Sequence, residues 1–263
     1  MEKNKVRLDV LLVERGLAKS RERAKAMIMA GLVVAGGRGD VKPSDLFEPE
    51  AEIRLRGDAC PYVSRGGLKL EKAVRVFGLG LEGRICADIG ASTGGFTDCM
   101  LQNGAARVFA IDVGYGQLDW SLRNDSRVTV MERTNARYLE NLGQPVDFAS
   151  VDVSFISLRL IFPALRAIGA GEAVTLIKPQ FEAGREKVGK KGVVRDAAVH
   201  REVIQSVIGY AAANGYSLQG LDYSPVKGPN GNIEYIALFR LGGEAVLGDI
   251  AGVVAAAHEA LDE

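Results

Sequence analysis

From residue 85 onward, short apolar runs alternate with segments whose apolar positions recur at helical spacing. The pattern predicts strands at 85–89, 107–112, 127–131, 147–152 and 173–178, helices at 96–103 and 157–168 between them, and a longer helix at 197–214. Two closing strands, 216–223 and 233–240, flank the turn K-G-P-N-G and read as an antiparallel edge hairpin. Such alternation builds an α/β fold, a seven-stranded and mostly parallel sheet with helices on both faces, and binds ligands at the carboxyl ends of its strands.

The first 60 residues follow a different pattern. Leu8, Leu11 and Leu12 lie at helical spacing within 7–15, and Gly16 closes that helix. Ser20 caps a second helix through Ala30, with Gly31 as its stop. The words L-V-V, V-K-P-S-D and A-E-I-R-L, separated by Gly36, Gly37 and Gly39, then form a small β segment. Gly57 and Pro61 break the chain, so the expected domains are 1–60 and 61–263, with a linker at about 57–62. Beyond it, Ser64 is expected to cap a helix to about Phe77. Lys69 lies there among apolar positions, where a lysine on its own evidence snorkels to solvent.

The stretch Ile85 to Asp98, I-C-A-D-I-G-A-S-T-G-G-F-T-D, concentrates the candidate chemistry. Gly90, Gly94 and Gly95 allow a close backbone approach to a ligand. A dinucleotide pyrophosphate calls for G-x-G-x-x-G, which this spacing does not fit. Asp88, two residues before the first glycine, suits a cationic, phosphate-free ligand such as the amino acid end of S-adenosylmethionine (SAM). Asp112 ends the next apolar run, where a carboxylate takes two ribose hydroxyls in either class of cofactor. A purely structural glycine turn is the competing reading. Asp152, Lys178 and Glu234 fall at strand ends on the rim of the same cradle, although each taken singly also fits a surface salt bridge.

Composition narrows the class. With 263 residues, 47% of them apolar, the chain can bury a sizeable core, and no apolar run approaches the ~18 residues of a membrane span. The polar start, without a signal-peptide apolar region, implies a cytoplasmic protein. Cys60, Cys86, Cys99, His200 and His258 show no metal-ligand spacing, so no metal is expected. The net charge is zero, yet residues 1–30 hold eight Lys or Arg against four acids and 178–201 hold seven against three. Local basic patches of this kind bind phosphate while the whole stays neutral. The glycine-rich loop after Phe181 reads as a clamp on substrate phosphates through Arg185, Lys187, Lys190 and Lys191, or else as a solvated loop.

The N-terminal segment resembles the S4-type RNA-binding domain shared with pseudouridine synthases and tyrosyl-tRNA synthetases. The matching residues are R-L-D at 7–9, S-R at 20–21, Ala24 and Lys25, G-L-V-V at 31–34 and K-P at 42–43. The resemblance implies that Arg7, Arg15, Arg21 and Lys25 touch RNA phosphates or sugars. Val34, Ala35 and Gly36 replace the usual V-N-G turn. Lys69, Asp152, Lys178 and Glu234, in that order, resemble the tetrad of the FtsJ-like ribose methyltransferases. The words S-R-G-G-L-K-L, D-I-G-A-S-T-G-G-F-T-D and I-K-P-Q-F-E are similar to the TlyA branch, also called hemolysin A. This second resemblance covers both domains. It implies a Rossmann-like, SAM-dependent enzyme that methylates the ribose 2′-hydroxyl of cytidine in ribosomal RNA of the small or large subunit, or both.

On that reading SAM is held by Asp88, Gly90, Ser92, Thr93, Gly94, Gly95, Phe96 and Asp112. Asn135 and Ala136 meet the adenine edge and ring, Asn135 standing where an aspartate is common, and Arg65 joins the RNA contacts. The chemistry asks for such a set. A sulfonium already activates its methyl group, so the enzyme must align a ribose oxygen and help remove its proton. Lys178 is the residue expected to take that proton or to hold the oxygen lone pair. Lys69 supplies a second cation, and Asp152 and Glu234 position both. The rival readings are an RNA-binding assembly factor with an inactive methyltransferase fold and a membrane-active hemolysin.

Overall fold

The computed structural model describes residues 5–18, 20–29, 31–55, 60–246 and 248–261. They fall into two compact units that divide between Pro61 and Tyr62. Ala30 and Gly57, expected as a helix end and a linker breaker, lie outside the described residues.

The smaller unit runs β1 (Val6–Arg7), α1 (Leu8–Glu14), α2 (Arg21–Met29), β2 (Val33–Ala35), β3 (Leu46–Phe47) and β4 (Ile53–Leu55). β1 pairs with β3 and β2 with β4, both antiparallel. Two of the leucines read at helical spacing meet here: Leu8 and Leu12 pack with Ala24, Ile28, Val33 and Ala35 in one core. Ser20 Oγ accepts from the Arg23 amide at 3.2 Å, so the expected cap is made.

In the larger unit the order is α3 (Gly66–Phe77), β5 (Ile85–Ile89), α4 (Gly95–Gln102), β6 (Arg107–Ile111), α5 (Trp120–Arg123), β7 (Val128–Met131), β8 (Phe148–Val151) and α6 (Phe162–Ala167). There follow β9 (Glu172–Ile177), α7 (Pro179–Glu182), α8 (Ala197–Ala213), β10 (Tyr216–Tyr223), β11 (Tyr235–Leu241) and α9 (Ile250–Leu261). One seven-stranded sheet has the order β10-β11-β9-β8-β5-β6-β7. Only the pairings of β11 with β9 and with β10 are antiparallel, as the hairpin signature implied. β5, β6, β8 and β9 are almost continuously buried, because helices cover both faces of a parallel sheet.

Several boundaries differ from the pattern for identifiable reasons. The helix expected over 157–168 divides into a 3-10 turn at Leu158–Leu160 and α6, whose first turn contains Pro163. A proline there has no amide to continue the preceding turn but suits a helix start. α3 begins at Gly66 without a side-chain cap, so Ser64 does not play that part. Glu234 precedes the last strand rather than opening it. α9, which no sequence signal marked, buries Val254 and Ala257. Among the described residues no helix is long and apolar enough to cross a membrane.

Candidate active site

Four segments bring charged side chains together at the carboxyl ends of the central strands. Lys69 comes from the first turns of α3, Asp152 follows β8, Lys178 follows β9, and Glu234 precedes β11. Lys178 Nζ lies 2.5 Å from Asp152 Oδ1, Lys69 Nζ 4.0 Å from Asp152 Oδ2, and Lys69 Nζ 2.6 Å from Glu234 Oε2. The result is an alternating chain of cation, anion, cation and anion. Glu234 is 0% exposed and the two lysines only 8% and 6%, so each charge has exchanged water for an opposite charge. Lys69 therefore does not snorkel outward: its stem crosses from the helix to a carboxylate buried beneath it. Gly228 makes room for that carboxylate, since a Cβ there would lie 2.0 Å from Glu234 Oε1.

The tetrad lines a cavity of about 590 Å³, which Arg65, Gly90, Ser92, Thr93, Gly95 and Phe96 also line. Three of its residues were given no role in the sequence reading. Phe155 sits on the wall at 90% exposure with a positive φ of 63°, and its ring centroid is 4.9 Å from that of Phe181. Gln180 donates to Glu234 Oε1 at 3.4 Å. Its own carbonyl oxygen is buried without a hydrogen-bond partner among the described residues. Lys227 comes from the β10–β11 connection. Position within I-K-P-Q-F-E was the one available signal for Gln180; an isolated Phe in V-S-F carried none.

The glycine loop corrects part of the sequence reading. Asp88 is fully buried and does not present its carboxylate to the cavity. It accepts from the Thr97 amide at 2.8 Å, the Thr97 hydroxyl at 2.7 Å and the Ser150 hydroxyl at 3.1 Å, and so ties β5 to the start of α4 and to β8. Burial pushes its pKa up to about 7 against those hydrogen bonds. The glycines likewise serve the chain's own packing. A Cβ on Gly90 would meet the Asp152 carbonyl at 2.4 Å, one on Gly94 the Leu122 side chain at 2.2 Å, and one on Gly95 the Ser64 hydroxyl at 2.3 Å. Ser92 and Thr93, between them, are exposed to the cavity.

Asp112 accepts from the amides of Ser92 at 2.8 Å and Gly114 at 2.7 Å, and lines a narrow slot with Gln117 and Glu132. A carboxylate has acceptor capacity beyond two amides, so ribose hydroxyls remain within its chemistry. Asn135 caps the 3-10 turn Ala136–Tyr138 by accepting from the Arg137 amide at 3.1 Å. Ala136 is packed in the main core, so its methyl group is engaged by the chain itself.

The predicted RNA contacts divide by what already holds them. Arg7 and Arg21 both bond the fully buried Asp9, at 3.0 Å each, and stay about half exposed. Arg15 donates to the carbonyls of Pro49 and Ala51, so much of its guanidinium is committed within its own unit. Lys25 is half-buried. Lys187 is paired with Glu202, whereas Arg185, Lys190 and Lys191 are exposed.

The donor set fits SAM. Ser92 and Thr93 offer hydroxyls at the loop, Asp112 a carboxylate beside it, and Asp152 a partly exposed carboxylate for a cationic centre; the lysines nearby are already paired. Residues 62–241 match the FtsJ-like methyltransferase family and residues 6–53 the S4 domain. The chain belongs to the FtsJ-like methyltransferase family. It is a methyltransferase of the kind that uses SAM. YqxC of Bacillus subtilis is 50% identical over 100% of this chain and 98% of its own length. The 16S/23S rRNA (cytidine-2'-O)-methyltransferase TlyA of Mycobacterium tuberculosis is 44% identical over 98% of both chains. A solved Streptococcus thermophilus structure that carries the hemolysin name superposes with a TM-score of 0.78 at 49% identity, covering 99% of this chain and 98% of the other.

Proposed function

We propose that the enzyme methylates the ribose 2′-hydroxyl of cytidine in ribosomal RNA, in subunits present in the cytoplasm. The alternating chain Lys178–Asp152–Lys69–Glu234 at the strand ends carries this reading. The cytidine-2'-O activity named for a relative 44% identical supports it. SAM, when bound, supplies a methyl group already activated by its sulfonium.

The protein's own part is to align an oxygen and to handle a proton. Lys178, fixed by Asp152 and by Ser154 Oγ at 3.2 Å, hydrogen-bonds the incoming ribose oxygen and turns a lone pair into line. The Lys178–Asp152 pair takes the hydroxyl proton as the oxygen gains its new bond. Lys69, anchored on Glu234, keeps the other Asp152 oxygen from rotating away. Phe155, exposed on the wall, offers a face on which a base drawn out of its stack rests. Glu182 fixes the turn that follows it, accepting from Ser157 Oγ and the Leu158 amide, both at 2.7 Å. Asp112, Ser92 and Thr93 hold the cofactor, and Arg65, Arg185, Lys190, Lys191 and the Arg7–Arg21 pair hold RNA phosphates.

Transfer of labelled methyl from SAM to isolated small and large subunits, followed by nuclease mapping, tests this. Label is expected in cytidine ribose of one or both RNAs. In Lys178→Ala the rate is expected to fall by about a thousandfold with SAM binding retained. Label in a base, or full activity in the variant, would sink the assignment. Neutralising Arg185, Lys190 and Lys191 together is expected to weaken RNA binding and flatten its salt dependence.

A further inference from the structure

A second cavity, of about 290 Å³, adjoins the first. The two share Lys227 and Asn230, so a group in one is next to whatever occupies the other. Its walls come from the segment before α8, through Arg195, and from the β10–β11 connection, with His258 of α9 at one side. No carboxylate stands among the lining residues.

The cavity is built rather than a gap between loose loops. Asn232, 2% exposed, accepts from the Val194 amide at 3.1 Å and donates to the Gly192 carbonyl at 2.9 Å, which fixes one wall to the other. His200 is fully buried, and its Nε2 lies 3.0 Å from the Val194 carbonyl; a carbonyl only accepts, so that nitrogen carries the proton. Its Nδ1 lies 2.8 Å from the Tyr235 hydroxyl and 3.2 Å from His258 Nε2. Val194, next to Arg195, is therefore held at both its amide and its carbonyl.

The charge on this cavity is uncompensated. Arg84, Arg123, Arg127 and Arg240 each pair with a carboxylate. Among the described residues, Arg195 and Lys227 form no ion pair or side-chain hydrogen bond. Two unneutralised cations around a polar, acid-free hollow favour an anion of phosphate type.

We propose that this second cavity is a phosphodiester subsite, in which Arg195 and Lys227 together hold the RNA backbone phosphate next to the nucleotide whose ribose enters the main cavity. The proposal rests on RNA being the methyl acceptor. The function of the site is register: a phosphate fixed here sets how far the adjoining ribose reaches toward Lys178. It adds two contacts that local charge runs in the sequence did not separate from their neighbours.

The test uses the full chain, ribosomal subunits as acceptor and SAM as donor. Arg195→Gln and Lys227→Gln are each expected to raise KM for subunits about tenfold, the cost of one charged hydrogen bond, with SAM affinity unchanged as the check on folding. The double variant is expected to lose clearly less than the product of the two, because both cations serve one phosphate. The slope of log KM against log salt should fall by about one to two, and Arg195→Lys should restore most of the affinity. Purely multiplicative losses, or an unchanged KM and salt slope in the double variant while the wild type still transfers methyl, would overturn the shared subsite alone. Failure of the wild type to label either RNA would overturn the RNA reading, and the subsite with it.

Discussion

Asp9 in the N-terminal unit and Asp88 at the glycine loop are both shut away from solvent, and they are driven in opposite directions. Asp9 bonds two guanidiniums. Its hydrogen bond to Arg7 and the contacts with Arg21 outweigh burial and hold its pKa at about 2. Asp88 bonds only neutral donors, the hydroxyls of Thr97 and Ser150 and one amide, so burial prevails and its pKa rises to about 7. Burial sets the stakes; the charge of the partner decides the sign. The carboxylate with cations displays them half exposed, at 43% and 50%, while the one without cations is purely a fastener.

The largest effect expected from this contrast lies in the pH dependence of the larger unit. Asp88 binds its proton more tightly in the folded state than in the unfolded chain. Its contribution is therefore fullest below about pH 4 and is lost as pH rises to about 7, by up to about 4 kcal/mol for a shift of this size. Urea unfolding of wild type against Asp88→Asn reads this directly: the wild type should lose ground to the variant between those pH values and not beyond. Next comes Asp88→Ala, which strands the Thr97 and Ser150 donors and should cost about 3 kcal/mol, measured where Asp88→Asn costs little. Equal costs for Ala and Asn would break the idea of a fastener.

Asp9 should behave with the reverse sign and a smaller size. Its folded pKa is depressed, so its contribution is present above about pH 4 and lost as pH falls toward 2. Because both arginines are half exposed, Asp9→Asn should destabilise the N-terminal unit by only about 1 kcal/mol, seen in hydrogen exchange over residues 8–55. Smallest of all, Arg15→Gln should cost about 0.5 kcal/mol, since its carbonyl partners stay open to water.

How far the sequence could be read depended on range. The sheet was legible because buried parallel strands leave continuous apolar runs, and Asp152, Lys178 and Glu234 were legible because strand ends mark the rim of such a sheet, whereas Lys69, on a helix, was singled out only by the resemblance to the tetrad. What joins Lys69 to Glu234 was expected only from the resemblance to the tetrad, because the two are far apart in sequence and a lysine in an apolar stripe looks the same whether it reaches water or a buried acid. The glycine loop lies on the cavity as expected, and its glycines have a second use in the chain's own packing. Gly90, Gly94 and Gly95 mark close approach, and the atoms closest to a Cβ added there belong to Asp152, Leu122 and Ser64. Asp88 carries that lesson: the motif fixes where a residue stands along the chain, not which way its side chain faces.

Glu234, the carboxylate beneath Lys69, comes almost last along the chain, and the strand it precedes must pair with β9 before it is held. During synthesis the N-terminal unit, whose core draws on residues 8–55, is complete while that acid has yet to be translated. A nascent chain thus owns its first unit long before it owns a finished reaction centre, and a ribosome that stalls near residue 230 releases a product in which Lys69 lacks its Glu234 partner.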